Sequence, residues 1–234
     1  MGSSPRLHTV QPETAQLLQR YHPAPMHQLA YTYEELKELG VQPEFLMAVV
    51  EVFENPAAFR ADAFAHFPLL TITDYLQKTH EYYLQKKLLE IEQSILRLMQ
   101  AYPQTHPLLL LLHNFYDSYK THLQRHIEAE ETSLLPYVRQ LEQCEETNQQ
   151  LSQLPSLTVQ QFIQEHHDTE KDLADVRNAM LHYSPPAGNG MIYRILASQL
   201  EIFERDLAVH ALLEDEVLLP RALALEKKWL PAGD

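Results

Sequence analysis

His126-Ile127-Glu128-Ala129-Glu130-Glu131-Thr132-Ser133-Leu134-Leu135-Pro136 and His210-Ala211-Leu212-Leu213-Glu214-Asp215-Glu216-Val217-Leu218-Leu219-Pro220 follow one pattern, His-x-x-x-Glu-x-x-x-Leu-Leu-Pro. Residues four apart on an α-helix lie one above the other, so each copy aims an imidazole and a carboxylate at one point. That is a ligand pair for a hard or borderline metal ion. Two such pairs, each preceded by a helix able to add one histidine, are the inventory of a dinuclear site inside a four-helix bundle.

Counting outward from these stretches brings four histidines to one depth. The first long helix is read from Ile72 to Tyr102 and the second from Pro107 to about Gln143, with Pro136 expected to kink or thin its last turns. The third runs from Thr158 to Tyr183, and after the break at Ser184 to Gly190 the fourth runs from Met191 to about Lys228. His80 then lies 22 residues before its turn, His126 lies 19 after Pro107, His167 lies 17 before Ser184 and His210 lies 19 after Met191. At ~1.5 Å rise per residue each sits about 25–33 Å from its connecting loop. Short connections make each hairpin antiparallel, so the four share one level.

The halves also repeat one another: a helix with one histidine, a Pro-containing turn, and a helix with His-x-x-x-Glu. The repeat predicts pseudo-two-fold symmetry, one metal held mainly by each half and two glutamates free to bridge. The expected ligands are His80, His126, Glu130, His167, His210 and Glu214. Two imidazoles per metal and shared carboxylates leave positions for a bridging oxygen and an outside ligand. This all-N/O set suits two iron ions first, oxo-bridged, with manganese or zinc as substitutes.

Composition narrows the alternatives. With 234 residues, 5 Gly and 15 Pro, the chain can bury a large helical core. Its 32 acidic residues against 18 basic ones give a net charge of -14, which argues against nucleic acid or an anionic membrane as partner. A single cysteine, Cys144, rules out an internal disulfide and a thiolate-rich metal site. No apolar signal region opens the chain, and the longest apolar run, Leu108 to Leu112, is far short of the ~20 residues that span a bilayer. A cytoplasmic protein is expected.

Before the bundle, residues 1–67 are read as short helical pieces packed on a bundle of residues 68–234. Thr32-Tyr33-Glu34-Glu35 forms a capping box for a helix that Gly40 ends, and Pro43 opens another that stops at Asn55-Pro56. Thr158-Val159-Gln160-Gln161 is a second capping box.

Each histidine also has a plain reading. His8, His22, His27, His66, His106 and His182 are read as ordinary core or surface groups, and His113 carries little signal. His122 and Asp206 each lie one turn before a ligand histidine, and with His166 they are the candidates to orient ligands or shuttle protons. Glu131, Asp168 and Glu81 flank ligands but point about 100° away, so solvated charge is their default. Leu109, Leu112, Leu134 and Leu135 are read as core.

These residues resemble the hemerythrin-like cation-binding domain, in particular the di-iron proteins that repair iron-sulfur clusters. The similarity spans roughly Asp74 to Glu226 and rests on His80, the two His-x-x-x-Glu pairs, His167-Asp168 and the tail Leu218-Leu219-Pro220-Arg221-Ala222-Leu223. It implies an up-down four-helix bundle, a di-iron centre that binds O2 or NO, and service to iron-sulfur client proteins under oxidative or nitrosative stress. Two departures stand out. Lys171 occupies the place of the fifth histidine of the oxygen carriers, and Asp215 that of their aspartate, with Glu214 favoured by symmetry with Glu130. The adjacent cysteines of the repair proteins' N-terminal segment are replaced by His22-Pro23-Ala24-Pro25-Met26-His27. A sensor or carrier without a repair role is the competing class, and a purely structural bundle the third.

Overall fold

The computed structural model describes residues 6–8, 12–21, 30–101, 107–151, 157–165 and 190–230. The His22–His27 stretch, both hairpin turns, and the third helix beyond Glu165, with His166 and His167, lie outside the described residues.

The chain adopts the expected all-α, up-down four-helix bundle with short N-terminal helices packed on it. Its first rod joins α4 (Leu69–Tyr82) to α5 (Leu88–Ala101), and its second joins α6 (Pro107–Ala129) to α7 (Leu135–Thr147). A third rod begins as α8 (Val159–Glu165), and the last joins α9 (Gly190–Leu213) to α10 (Leu219–Trp229). α4 lies against α7 and α5 against α6, so the first two rods are antiparallel. α9 packs on α5 and α10 on α7, which sets the last rod alongside the second.

In the first, second and last rods the two halves are joined by one wide turn of π-helix, at Tyr83–Lys87, Glu130–Leu134 and Glu214–Leu218. Two of these explain how prolines are tolerated. A proline within a helix lacks the N–H for the carbonyl four residues back and its ring collides with that carbonyl. Pro136 and Pro220 each follow a wide turn closely, where the i to i+4 ladder is already interrupted. At Pro136 the helical run continues through this local widening of the backbone.

Local signals in the N-terminal segment act as read. Thr32 Oγ1 accepts from the Glu35 N–H at 3.3 Å and Glu35 Oε2 accepts from the Thr32 N–H at 2.7 Å, opening α2 (Tyr33–Glu38). Gly40, at φ 74°, supplies the left-handed residue that ends it. α3 (Pro43–Glu54) starts at its proline and buries Phe45, Leu46, Val49, Val50 and Phe53. Thr158 and Gln161 form the second box, and Glu226 Oε1 accepts from the Val159 N–H at 2.7 Å, fastening the start of α8 to α10. Beyond these, α1 (Pro12–Leu18) follows a strand β1 (Arg6–His8) that pairs antiparallel with β2 (Ala30–Thr32). Three-residue strands are too short for an alternating pattern, so nothing in the sequence announced this ribbon.

The apolar core falls into two clusters. One gathers α1 to α4, α7, α8 and the end of the last rod around Phe45, Tyr75, Val138 and Leu218. The other joins α5, α6 and α9 around Ile95, Tyr116, Leu123 and Phe203. In the sequence His80, Glu130 and His210 each fall where membership passes between the clusters.

Candidate metal centre

The polar layer between the clusters is built by α4, α6, α9 and two wide turns. His80 is the buried end of α4, His126 lies on the last turn of α6, and Glu130 opens the wide turn that follows. His210 and Glu214 repeat this arrangement at the end of α9. His80 and Glu130 are each 1% exposed, Glu214 is 2% and His210 is 7%. Burying two carboxylates and two imidazoles is unfavourable unless each finds a partner.

The partners are one another. Glu130 reaches two histidines at once, Oε2 standing 2.9 Å from His80 Nε2 and Oε1 2.5 Å from His126 Nε2. His210 Nε2 faces His80 Nε2 at 3.3 Å and Glu214 Oε2 at 3.5 Å. Among the described residues two groups have ligand atoms that all lie within 4.8 Å of one another: His80, Glu130 and His210, and His126, Glu130 and Glu214. Glu130 belongs to both, the position of a bridging carboxylate. Among the described residues each group takes ligands from both halves of the chain, because α9 packs against the first rod and brings His210 onto His80. His167 lies outside the described residues.

The flanking residues divide differently from the sequence reading. Glu131, read as solvated charge, accepts from His80: its Oε1 lies 2.7 Å from His80 Nδ1. Gln77 Nε2 donates to Glu131 Oε2 at 2.9 Å, and Arg139 donates to Gln77 Oε1 at 2.6 Å, so a three-residue chain fixes the imidazole from behind. Asp206, a candidate to orient ligands, is wholly buried and tied elsewhere. It forms an ion pair with Arg20, and accepts from Tyr83 Oη and Gln16 Nε2 at 2.8 Å each. Arg20 also donates to Tyr75 Oη and, at 2.9 Å, to Thr79 Oγ1. This arginine, which the sequence reading passed over, locks the segment after α1 onto the bundle one turn from His210 and beside His80. His122 and Asp215 are exposed, in contrast to the buried Glu214.

The electrostatics favour protons on His80 and His126, on either side of Glu130, where cations fit. Burial alone would lower the His80 pKa, but hydrogen bonds to Glu130 and Glu131 reverse this and push it up to about 9. Burial would raise Glu130, yet the hydrogen bonds from His126 and His80 hold it well below the usual carboxylate range. His210 is pushed down to about 3 by burial and by the charge on His80. At neutral pH His80 is therefore an imidazolium whose Nε2 proton sits among Glu130 Oε2 and His210 Nε2. Exchanging that proton for a metal ion leaves two nitrogens and a carboxylate oxygen around it, a donor set that fits iron, manganese or zinc.

A pH dependence follows for metal-free protein. The folded His80 pKa of about 9 lies above the ordinary 6.5, so its stabilisation is complete below pH 6.5 and lost as pH rises through 9. Denaturant titrations of chelator-treated protein at pH 7, where the depressed His210 pKa no longer opposes the effect, and at pH 9.5 should differ by about 2 kcal/mol, less at the higher pH. Metal-loaded protein should lack this loss, because the ion has replaced the proton.

Among the described residues no helix is long and apolar enough to cross a membrane. The iron-sulfur cluster repair protein ScdA of Staphylococcus haemolyticus (strain JCSC1435) is 22% identical to this chain over 148 residues, which cover 63% of this chain and 64% of that protein. The matched stretch is thus just under two thirds of that relative's length. Residues 72–222, from the first rod through the second Leu-Leu-Pro, match the hemerythrin HHE cation binding domain, and the chain belongs to that family.

Proposed function

We propose that this chain is a non-haem di-iron protein in which His80, Glu130 and His210 hold one ion and His126, Glu130 and Glu214 the other, with His167 completing the set. Its work is the binding of O2 or NO and the repair of iron-sulfur clusters during oxidative or nitrosative stress in the cytoplasm. The observation that carries this reading is the single buried carboxylate of Glu130 touching two histidines and shared by two metal-sized groups. Similarity to an iron-sulfur cluster repair protein, 22% identical over 63% of this chain, supports the repair role. Iron in such a site supplies a one-electron redox change and open coordination positions for a diatomic gas.

The chain's own residues do the rest. Glu130 fixes the spacing of the two groups, and Glu131 through Nδ1 orients His80 and raises its basicity. The two apolar clusters on either side keep bulk water from the layer. The N-terminal segment acts as an appendage that Arg20 fastens to the bundle beside this layer. That last contact favours a second reading, a gas or redox sensor, because Asp206 ties the appendage to the helix carrying His210.

Metal analysis of freshly purified, untagged protein tests the site, and two irons per chain is the expected result. Restored activity in a damaged iron-sulfur enzyme favours repair; stable reversible oxygenation without restoration favours a carrier or sensor. Glu131→Gln should weaken iron binding about ten- to hundredfold, measured by chelator competition, while the fold measured by circular dichroism stays intact.

A further inference from the structure

We propose that the cleft between the segment after α1 and the first rod binds a small oxyanion, a carboxylate or a phosphate. The cleft offers about 160 Å³ and is lined by Gln19, Arg20, Lys78, Glu81, Tyr82 and Lys86, among others. It holds three cations against one carboxylate on a chain of net charge -14.

Two buried donors in this lining have nothing to donate to. Arg20 spends its terminal nitrogens on Asp206, Tyr75 and Thr79, which leaves Nε without a partner. Tyr82 is 6% exposed and its hydroxyl is likewise without a partner. A buried donor deprived of an acceptor is costly, and native proteins rarely keep two side by side unless something else completes them. What is missing is an acceptor.

The charges agree with the donors. Arg20, Lys86 and Lys87 all stand over the Tyr82 ring, at 5.7, 5.8 and 5.5 Å from its centroid. Asp206 answers Arg20 and Asp74 answers Lys78 at 2.9 Å, but Lys86 and Lys87 share Glu90 at 4.0 and 3.7 Å. Lys86 instead donates to the Gln19 amide oxygen at 2.6 Å, a neutral acceptor that an oxyanion outcompetes. A site made of N–H and O–H donors selects anions over cations. At about 160 Å³ the room lies below the ~300–1,000 Å³ of pockets for drug-sized ligands, so it suits a small anion of the size of phosphate or malonate and not a nucleotide or peptide. Because Arg20 also grips Asp206, an anion on Arg20 Nε would fasten the N-terminal segment to the bundle.

Thermal unfolding of the full chain, as purified and after chelator treatment, tests this with inorganic phosphate and malonate against sodium chloride at matched ionic strength. A saturable rise in Tm of about 3–6 °C at ten times Kd is expected from at least one oxyanion in both forms. A response to malonate alone identifies a carboxylate ligand, and one to phosphate alone a phosphate. Tyr82→Phe should fold with unchanged or higher Tm, since it removes an unpartnered hydroxyl, and should bind about tenfold more weakly, as should Lys86→Met. The proposal is overturned if neither oxyanion exceeds chloride, or if both variants respond as the parent does.

Discussion

Glu130→Ala is expected to strip both metal ions from the protein, whereas Glu214→Ala removes one. Glu130 enters both ligand groups and Glu214 only the group with His126, so the two carboxylates are not equivalent despite their matching positions in the repeat. Without Glu130 each group is left with two ligands from the described residues, and affinity at both sites should fall at least about a hundredfold, close to 2.7 kcal/mol per ion. Metal content after dialysis reads the result directly. Equal losses in the two variants would show that the carboxylates bridge symmetrically, and full retention in Glu130→Ala would remove the shared site. The change also withdraws the partner of the buried His80 and the half-buried His126, so the His80 pKa should drop and the alkaline loss of stability in metal-free protein should shrink.

Arg20→Met is expected to cost about 3–5 kcal/mol of folding stability, because it strands the Asp206 charge in the interior. Both side chains of the pair are 0% exposed, and Gln16 and Tyr83 can donate to the carboxylate but cannot neutralise it. Asp206→Leu should do comparable damage by leaving the guanidinium unanswered. The double variant should recover most of the loss, since two apolar side chains of similar volume replace the pair without a desolvated charge. Urea unfolding of the four proteins completes the cycle. A double variant as unstable as the sum of the singles would show that Arg20 acts through packing on Tyr75 and Tyr82 instead. Salt should change these values little, because the pair is shielded from solvent.

What the sequence made legible follows from periodicity. Four-residue spacing put His126 with Glu130 and His210 with Glu214, and counting turns put His80 at their depth. Hydroxyl and amide spacing foretold the two capping boxes. The misreading of Glu131 has a physical origin: a regular helix turns it about 100° from its neighbour, but the wide turn starting at Glu130 packs more residues into one revolution and rotates Glu131 less. Arg20 was illegible for another reason. Its partner lies 186 residues away, and no local pattern distinguishes an arginine destined for the interior from one in water. The assignment of ligands to groups depended likewise on which rods touch, which spacing along one chain does not contain.

The wide turns also limit how these rods can change length. Each contains one residue more than a plain helix of the same rise, and that surplus keeps the inward stripe below it, such as Leu135, Val138 and Leu141, in phase with the stripe above. Losing a residue there would regularise the backbone yet swing everything downstream by about a third of a revolution, aiming leucines at water and polar groups inward. A one-residue deletion between a ligand histidine and its proline should therefore be far more damaging than one near a chain end.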